Sequence, residues 1–302
     1  CGFVGSASAF ALMQSGLFSE MVLIDVDKDR AEGEAMDISH GASFAGPMKI
    51  YAGGYEDVGD AAIIVITAGA NQKPNETRLD LVQKNAKIMT DVVTQIKEQE
   101  YKGILLIVSN PVDIMTQVAM EVSGFPEHRV FGSGTVLDSA RLRYHLGQHL
   151  GVDSRSVHAF VIGEHGDSEI AAWSSANVSG VPLNSFCEMR GHFNHEGNTE
   201  SIEEQVKNSA YEIIAKKDAT YYGIAMVVKR ICQAIVRDEK SIFPISLRMH
   251  GEYALEDVVL SMPAIVGARG IETTIPISLD EKEVSRLHES AEMLRETRKE
   301  IR

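Results

Sequence analysis

Short apolar runs rich in β-branched residues alternate with longer amphipathic stretches through the first half of the chain. Residues 21–26, 61–67 and 104–108 are such runs, and they are predicted to be strands with helices between them. Residues 63–66 have the sequence Ile-Ile-Val-Ile, with no polar alternation. A strand of this kind needs helices over both of its faces, which is typical of a parallel sheet. We therefore predict an α/β fold whose first domain is a doubly wound parallel sheet.

The pattern changes past about residue 132, and the later strand-like runs are spaced as antiparallel strands would be. We expect a first domain over residues 1–132 and a mixed α+β second domain over residues 133–302. No Pro/Gly/Ser linker separates the two, so we expect a broad interface between them. The second half is predicted to contain helices at residues 136–150, 202–217, 220–236 and from 281 onwards, and strands at residues 157–162, 173–178, 242–249, 257–266 and 270–277.

Charge and hydropathy exclude several classes of partner. The 302 residues include 43 acidic and 29 basic side chains, for a formal net charge of -14. Long-range electrostatics therefore oppose binding to nucleic acid or to an anionic membrane, and an anionic substrate would need local arginines. The longest apolar runs, such as residues 104–108, are far too short to span a bilayer.

The three cysteines, Cys1, Cys187 and Cys232, are odd in number and far apart. This argues against a disulfide framework and for a reducing compartment, so we expect a cytoplasmic protein. Cys187, His192 and His195 lie close together in the sequence. One cysteine and two histidines in a polar stretch are more typical of a surface loop than of a zinc site, and we assign no metal.

The chain opens with Gly2, Phe3, Val4 and Gly5, followed by residues that favour a helix. In a dinucleotide-binding loop such glycines let backbone N–H groups approach a pyrophosphate, and the helix N-terminus favours negative charge. Two glycines alone are a weak signal. They are strengthened by Asp25, twenty positions after Gly5 at the end of the next predicted strand, where an acid could bind a ribose diol and favours NAD over NADP.

A dinucleotide-binding domain also needs a central strand before its first glycine, and the sequence has none there. We expect the native protein to carry roughly 10 to 20 further residues that include this strand, since a doubly wound sheet does not tolerate the loss of its middle.

Residues 162–168 place His165 between two glycines and two acids. Glycines on both sides let backbone and substrate approach the imidazole, and histidine is the side chain whose unperturbed pKa lies near neutrality. A proton-transfer residue would sit in such a loop. A lone loop histidine is more often a structural hydrogen-bonding group, so the motif needs support from elsewhere in the chain.

Four further segments supply that support: a polar loop at residues 72–78, residues 109–111 after a strand, residues 138–141 at a helix start, and residues 220–224. Taken singly, their arginines are explained by surface ion pairs, the aspartate by a helix cap and the asparagine by a turn before proline. Taken together, a proton donor, an acidic partner and two arginines form a complete mechanism.

In this order, and over essentially the whole chain, the segments resemble the L-lactate dehydrogenases of the lactate/malate dehydrogenase superfamily. Residues 72–81 look like the mobile active-site loop of that family and residues 137–141 like its substrate helix. The resemblance implies NAD-dependent interconversion of pyruvate and L-lactate, as in glycolysis and fermentation, by a homotetramer. The first domain would bind the dinucleotide and the second the substrate.

The family resemblance also implies residue roles. His165 would exchange the proton, and Asp138 would accept a hydrogen bond from its other ring nitrogen and raise its pKa. Arg141, one helical turn after Asp138, would hold the substrate carboxylate, and Arg78 would polarise the carbonyl. Asn110 would orient the carbonyl or the nicotinamide. Thr220 and Ile224 would line the pocket floor, and the cofactor site would include Gly2, Phe3, Val4, Gly5, Asp25, Thr67, Ala68, Gly69, Asn110 and Ile224.

Gln72 discriminates between substrates by resemblance, because malate enzymes carry arginine there to meet a second carboxylate. A neutral amide favours pyruvate over oxaloacetate, whose second carboxylate would be buried unpaired. Malate dehydrogenase, a dehydrogenase for a bulkier 2-keto acid and a non-catalytic NAD-binding relative are the alternatives. Asn75 and Asp218 depart from the family, which usually has glycine at both positions, so loop closure or a helix start could differ.

Arg143 and His158 match positions that bind fructose 1,6-bisphosphate across a subunit interface in activated bacterial members of the family. A phosphate site needs such cations. The same residue types occur in unregulated relatives, so activation by the sugar bisphosphate and a solvated surface role stay open as alternatives.

Overall fold

The structure, a computed structural model, describes residues 1–70 and 77–301, without the side chain of Arg78. Its helices are α1 (Phe3–Met13), α2 (Lys28–Gly41), α3 (Arg78–Glu98), α4 (Val112–Ser123), α5 (Val136–Leu150), α6 (Leu183–Met189), α7 (His195–Lys217), α8 (Tyr222–Val236) and α9 (Glu281–Lys299). Its strands are β1 (Glu20–Leu23), β2 (Lys49–Ala52), β3 (Ile63–Ile66), β4 (Ile104–Ile107), β5 (Val130–Gly132), β6 (Val157–His158), β7 (Val161–Ile162), β8 (Ile170–Ala171), β9 (Asn177–Val178), β10 (Val181–Pro182), β11 (Ser241–His250), β12 (Glu256–Gly267) and β13 (Gly270–Thr274).

The main sheet has the strand order β13-β12-β11-β5-β4-β3. Strands β3, β4 and β5 are parallel, whereas β11 pairs antiparallel with both β5 and β12, and β13 pairs antiparallel with β12. Strands β1 and β2 form a separate parallel pair. The predicted α/β class is confirmed. The antiparallel strands of the second half extend the parallel sheet of the first half instead of forming a sheet of their own.

One hydrophobic core runs through both halves of the chain. All four residues of β4 are buried, as the absence of polar alternation requires. The same cluster includes Val228 and Ile231 of α8 and Leu260 of β12. Burial of each such side chain contributes about 1.5–3 kcal/mol, so the two halves stabilise each other through a shared core.

A second cluster lies between α5, α6 and α7 and includes Leu142, Leu146 and Val206. Small antiparallel sheets, β6-β9-β10 and β7-β8, pack beside it.

The strand predicted at residues 173–178 is wrong over its first half. Residues Trp173–Ser175 form a 3-10 turn, because the backbone N–H of Ser174 donates to the Glu283 carboxylate at 3.0 Å instead of to a neighbouring strand. Only Asn177–Val178 pairs as a strand.

Candidate active site

The loop that carries His165 begins at a glycine that no other residue could replace without strain. Gly163 has φ +84, and a Cβ there would lie 3.0 Å from both Ile170 Cδ1 and Ser290 Oγ. Its backbone exchanges two hydrogen bonds with Ser261 of β12, at 2.9 and 2.8 Å. The backbone of the loop is therefore anchored to the main sheet two residues before the imidazole.

The start of α5 is anchored to the strand that leads into the same loop. The hydroxyl of Thr135 donates to the carbonyl of Val161 at 2.5 Å, and Ser139 Oγ accepts from the Val161 backbone N–H at 2.8 Å. All three residues are buried. These bonds fix the first turn of α5, which carries Asp138, relative to the histidine loop.

Asp138 connects the imidazole to an arginine. Its Oδ2 lies 2.6 Å from His165 Nδ1, and its Oδ1 accepts from Arg141 Nη1 at 2.7 Å. Asp138 is 2% exposed. The contact predicted between His165 and Asp138 is therefore present. Asp138 makes no helix-capping bond in α5, so the interpretation of this residue as a cap is wrong.

This arrangement favours the charged imidazole. Burial opposes the charge of His165, but the charge of Asp138 and the bond to it outweigh burial and raise the pKa of His165 to about 9. Burial likewise opposes ionisation of Asp138, yet His165 and Arg141 hold its pKa below the usual value. The second ring nitrogen has no hydrogen-bond partner among the described residues, so at neutral pH the site contains an imidazolium that can donate a proton from this nitrogen.

Two buried acids beside His165 were missed by sequence reasoning. Asp113, in the first turn of α4, accepts from the backbone N–H of His165 at 2.7 Å and from the Ser246 hydroxyl at 2.6 Å. Burial raises its pKa to about 6, although those bonds act in the opposite direction. No sequence signal links Asp113 to a loop 52 positions away. Glu169, which is 5% exposed, follows His165 by four positions, and this spacing was an available signal.

Asp138, His165 and Glu169 offer atoms within 4.8 Å of one another, a spacing that also suits a metal ion. Both oxygens of Asp138 and the Nδ1 atom of His165 are already engaged in the bonds described above. We therefore interpret the cluster as a proton-transfer site.

The predicted cofactor segments meet at the carboxyl ends of β3 and β4. A Cβ on Gly5 would lie 2.9 Å from Thr67 Oγ1, so only glycine lets α1 approach β3 this closely. The Ser109 hydroxyl donates to the Ala68 carbonyl at 2.6 Å. Gly69, the third residue of this predicted segment, is exposed. Ligands of open α/β sheets bind at this edge.

A buried asparagine, also missed in the sequence, joins the segments that follow β3 and β4. Asn85 of α3 accepts from the backbone N–H of Ala70 at 2.8 Å and donates to the Asn110 carbonyl at 2.9 Å. The exposed Asn110 precedes a cis peptide bond to Pro111. Its backbone carbonyl is thus bonded to Asn85, and its exposed side chain makes no hydrogen bond to the described residues.

The N-terminus of α1 suits a pyrophosphate. Gly2 occupies the N-cap position without a side-chain cap, and a Cβ there would meet nothing within 4 Å. The first-turn N–H groups of Phe3 and Val4 have no partner within the helix and lie in the favourable field of its N-terminus. Asp25 lies beside this loop, and its side chain accepts from the backbone N–H of Asp27 at 3.0 Å. These residues fit the phosphates and ribose of a dinucleotide.

The start of α8 lies between the start of α1 and the start of α5. The Phe3 ring stacks on Tyr221 with 5.4 Å between centroids, and a Cβ on Gly223 would lie 2.9 Å from Leu137 Cδ1. Thr220 and Ile224 flank this position and are half-buried. Asp218, a departure from the family pattern, ends α7 with φ +68, a conformation that glycine favours and aspartate tolerates.

Two predicted site residues lie at or shortly before the sequence position where α3 begins. Gln72 lies outside the described residues, and Arg78 is the first residue of α3, its side chain also outside the description. A capping box fixes this helix start: Thr77 Oγ1 accepts from the Asp80 N–H at 3.1 Å, and Asp80 Oδ2 accepts from the Thr77 N–H at 3.0 Å.

The two predicted regulatory residues differ in their surroundings. Arg143 is half-buried, and its Nε donates to the Ser139 carbonyl at 3.1 Å. His158 is exposed at the end of β6.

Cys187, predicted in a surface loop, is instead buried in α6 because it packs into the cluster between α5, α6 and α7. The thiols of Cys1, Cys187 and Cys232 are all free.

Family models cover both halves of the sequence. The model described as lactate/malate dehydrogenase, NAD binding domain, matches residues 1–132. The model described as lactate/malate dehydrogenase, alpha/beta C-terminal domain, matches residues 135–302. The chain belongs to the lactate/malate dehydrogenase family. NAD is accordingly its cofactor, and the fit of the α1 N-terminus and Asp25 to a dinucleotide agrees with this.

Individual relatives point to the lactate branch of the family. The chain is 49% identical over 295 residues to an L-lactate dehydrogenase of Acetivibrio thermocellus, covering 98% of this chain and 93% of the relative. It is 48% identical over 296 residues to L-lactate dehydrogenase 1 of Clostridium acetobutylicum, covering 98% and 95%. These matches support an NAD-dependent L-lactate dehydrogenase function.

Solved structures agree with this. A lactate dehydrogenase from a Medee basin deep-sea metagenome library has a TM-score of 0.96 and 46% identity, over 99% of this chain and 96% of that one. The minor L-lactate dehydrogenase of Enterococcus mundtii, in its ligands-bound form, has a TM-score of 0.96 and 42% identity, over 100% and 96%. Within the described residues, no helix combines the length and apolar character needed to cross a membrane.

Proposed function

We propose that the chain interconverts pyruvate and L-lactate, with His165 as the acid/base, Arg141 as the carboxylate-binding residue and Arg78 as the group that polarises the carbonyl. One observation carries this proposal: a single buried carboxylate, Asp138, bonds to both His165 and Arg141, at 2.6 and 2.7 Å. It fixes the proton donor and the substrate-binding cation relative to each other.

His165 gives its proton to the keto oxygen in the direction of pyruvate reduction. Because Nδ1 is bonded to Asp138, Nε2 is the nitrogen that faces the reaction. Asp138 holds the ring in this orientation and stabilises the imidazolium. In lactate oxidation the neutral imidazole takes the hydroxyl proton back.

Arg141 bonds Asp138 through Nη1, and its other N–H groups have no partner in the part of the chain that the structure describes, so these donors are proposed to bind the substrate carboxylate. The second arginine, Arg78, begins α3 between Thr77 and Asp80, the two residues of the capping box, and lies within the predicted active-site loop. Its positive charge would stabilise the oxygen of the carbonyl as negative charge develops there.

Bound NAD supplies the hydride acceptor for lactate oxidation, and its reduced form supplies the hydride donor for pyruvate reduction. Gly2, Phe3, Val4 and Gly5 would hold its pyrophosphate and Asp25 its ribose. The segment Thr67, Ala68 and Gly69 together with Asn110 and Ile224 would line the rest of the cofactor site. Thr220 would contact the substrate at the pocket floor.

The substrate assignment rests on the neutral amide of Gln72. A cation at this position would suit a dicarboxylate, whereas an amide suits the methyl group of pyruvate. The test follows NADH absorbance with pyruvate and oxaloacetate in parallel. We expect pyruvate to give the larger kcat/KM; a larger value for oxaloacetate would contradict the pyruvate assignment, and turnover of neither would contradict the proposed activity.

We further propose a cytoplasmic location, supported by the free thiols of Cys1, Cys187 and Cys232.

A homotetramer is proposed from family resemblance, with Arg143 and His158 binding fructose 1,6-bisphosphate between subunits. The half-buried guanidinium of Arg143 and the exposed ring of His158 are compatible with a phosphate site. Sedimentation tests the homotetramer, and a monomer would refute it. Pyruvate kinetics with and without the sugar bisphosphate test its binding, and an unchanged KM at every pH would refute that.

A further inference from the structure

Glu169 is a buried acid that the proposed mechanism does not use. It lies at the end of the histidine loop, directly before β8, and is 5% exposed. Its carboxyl group offers an oxygen within 4.8 Å of a ring nitrogen of His165 and of an oxygen of Asp138. A third ionisable group is therefore packed against the proton donor and its carboxylate partner.

The surroundings of Glu169 favour its neutral form. Burial and the negative charge of Asp138 raise the pKa of Glu169 to about 8, although His165, Lys207 and Arg141 act in the opposite direction. The carboxyl group is therefore mainly protonated at neutral pH and loses its proton as the pH rises through about 8.

Charged groups on the neighbouring helices do not cancel this effect. On α7, Lys207 forms an ion pair with Glu203 at 3.4 Å. On α9, Arg286 also pairs with Glu203, and it donates to the backbone carbonyl of Glu169 at 3.3 Å. Behind the loop, Asp113 adds a negative charge next to His165 when it is ionised. Ionisation of Glu169 therefore adds negative charge to a site that already has acids on two sides.

The consequence for an anionic substrate follows from the charge count. Ionisation of Glu169 lowers the summed charge of Glu169, Asp138, Arg141 and His165 from plus one to zero. Asp113, which is ionised above a pKa of about 6, adds a further negative charge beside His165. A monoanionic 2-keto acid is therefore opposed by one more buried negative charge when Glu169 is ionised.

We propose that Glu169 is a positioning residue that sets the charge of the site: it must carry a proton for an anionic 2-keto acid to bind next to the imidazolium. This inference rests on the proposed function, because it concerns the binding of that substrate. Loss of either proton lowers the summed charge by one and weakens binding of pyruvate, but only the loss of the His165 proton also removes the acid for the chemical step. Ionisation of Glu169 therefore raises KM from about pH 8, whereas ionisation of His165 lowers kcat and raises KM from about pH 9.

The experiment measures KM and kcat for pyruvate from pH 6 to 10 in the wild type, Glu169→Gln and Glu169→Met. In the wild type we expect KM to rise above pH 8, by up to about tenfold per pH unit. In both neutral variants KM should start to rise only near pH 9, where His165 loses its proton, and both should retain the decrease of kcat that belongs to His165. The methionine variant needs no hydrogen-bond partner, so it is a second neutral variant should glutamine prevent folding.

Glu283→Gln is the matched control. Glu283 is the same residue type and is also 5% exposed, but its carboxylate accepts bonds from Ser174 and Asp280 instead of facing His165. The KM of the Glu283→Gln enzyme should follow the wild-type pH profile. A wild-type KM that is flat from pH 6 to 9, or the same rise in the neutral variants as in the wild type, would overturn the assignment of Glu169 alone. A wild type that turns over no pyruvate at any pH would overturn the proposed function and this assignment with it.

Discussion

The backbone N–H of His165 donates a hydrogen bond to the buried carboxylate of Asp113 at 2.7 Å, across 52 positions of sequence. The other oxygen of Asp113 accepts from the Ser246 hydroxyl at 2.6 Å. Asp113 therefore ties the first turn of α4, strand β11 and the histidine loop together. The position of the imidazole depends on a group that would not touch the substrate.

Replacing Asp113 by alanine should destabilise the protein and loosen the site. The backbone N–H of His165 and the hydroxyl of Ser246 would lose their acceptor, and each unsatisfied buried group costs about 1–3 kcal/mol. We expect the free energy of unfolding to fall by about 3 kcal/mol in urea denaturation, with a parallel fall in kcat. Asp113→Asn keeps one acceptor oxygen and the side-chain volume, so it should lose clearly less. Equal losses in the two variants would contradict the hydrogen-bonding role.

Gly163→Ala should impair both stability and catalysis. Its φ of +84 is strained for alanine, and the new Cβ would lie 3.0 Å from Ile170 and Ser290. Gly180→Ala is the matched control, since Gly180 has the same φ of +84 but nothing within 4 Å of its Cβ position. The control should lose about 1 kcal/mol from backbone strain alone. Gly163→Ala should lose more and should also lower kcat/KM; identical behaviour of the two variants would refute the packing argument.

Arg141→Lys should weaken pyruvate binding although it keeps the positive charge. Lysine lacks the planar fork that bonds Asp138 and a carboxylate at the same time. We expect kcat/KM to fall about 30-fold, which corresponds to about 2 kcal/mol. Arg155→Lys is the control, because Arg155 pairs with Asp153 on the surface at 2.6 Å and should be replaceable without effect. An Arg141→Lys enzyme with wild-type kcat/KM would exclude a bidentate role for this arginine.

Gln72→Arg should shift the preference from pyruvate towards oxaloacetate. The new cation would meet the second carboxylate of oxaloacetate but would be left unpaired by pyruvate. We expect the ratio of the two kcat/KM values to change by about 100-fold, or about 3 kcal/mol. Gln72→Met has a similar length without charge, and it should keep the preference for pyruvate. Unchanged discrimination in the arginine variant would show that other residues set the substrate.

The pH dependence of kcat should differ in sign between the two directions. Because pyruvate reduction uses the imidazolium of His165, its kcat should fall as the pH rises through about 9. Lactate oxidation uses the neutral imidazole, so its kcat should rise over the same range. Rates measured at saturating substrate in both directions test this, and a parallel pH dependence of the two rates would contradict the acid/base assignment.

Much of the fold could be predicted from the pattern of apolar residues. Helix α5 has the predicted bounds, 136 to 150, and β4 lies within its predicted run. The pairing of β5 with β11 could not be predicted, because it joins residues 132 and 246 through a single register pair. Strand periodicity reports which face of a strand is buried but not which distant strand becomes its neighbour.

The site shows the same division between local and distant information. His165 could be found from its local sequence, and Asp138 from the helix-start motif that the family resemblance assigns to the substrate helix. Asn85 and Asp113 could not, because each acts through backbone groups of a distant segment and either would fit an ordinary helix. Glu169 was within reach, since it follows His165 by four positions, but its burial against Asp138 becomes apparent only in three dimensions.

The most direct test of the proton-donor assignment is the pKa of His165 itself, measured by 15N NMR of histidine-labelled protein. The His165 signals are identified by their loss in His165→Gln. We expect a pKa of about 9 in the wild type, and a decrease of about two units in Asp138→Asn as the imidazolium loses its carboxylate partner. A wild-type pKa near the value of free histidine, about 6.5, or an identical pKa in the wild type and Asp138→Asn, would contradict the assignment.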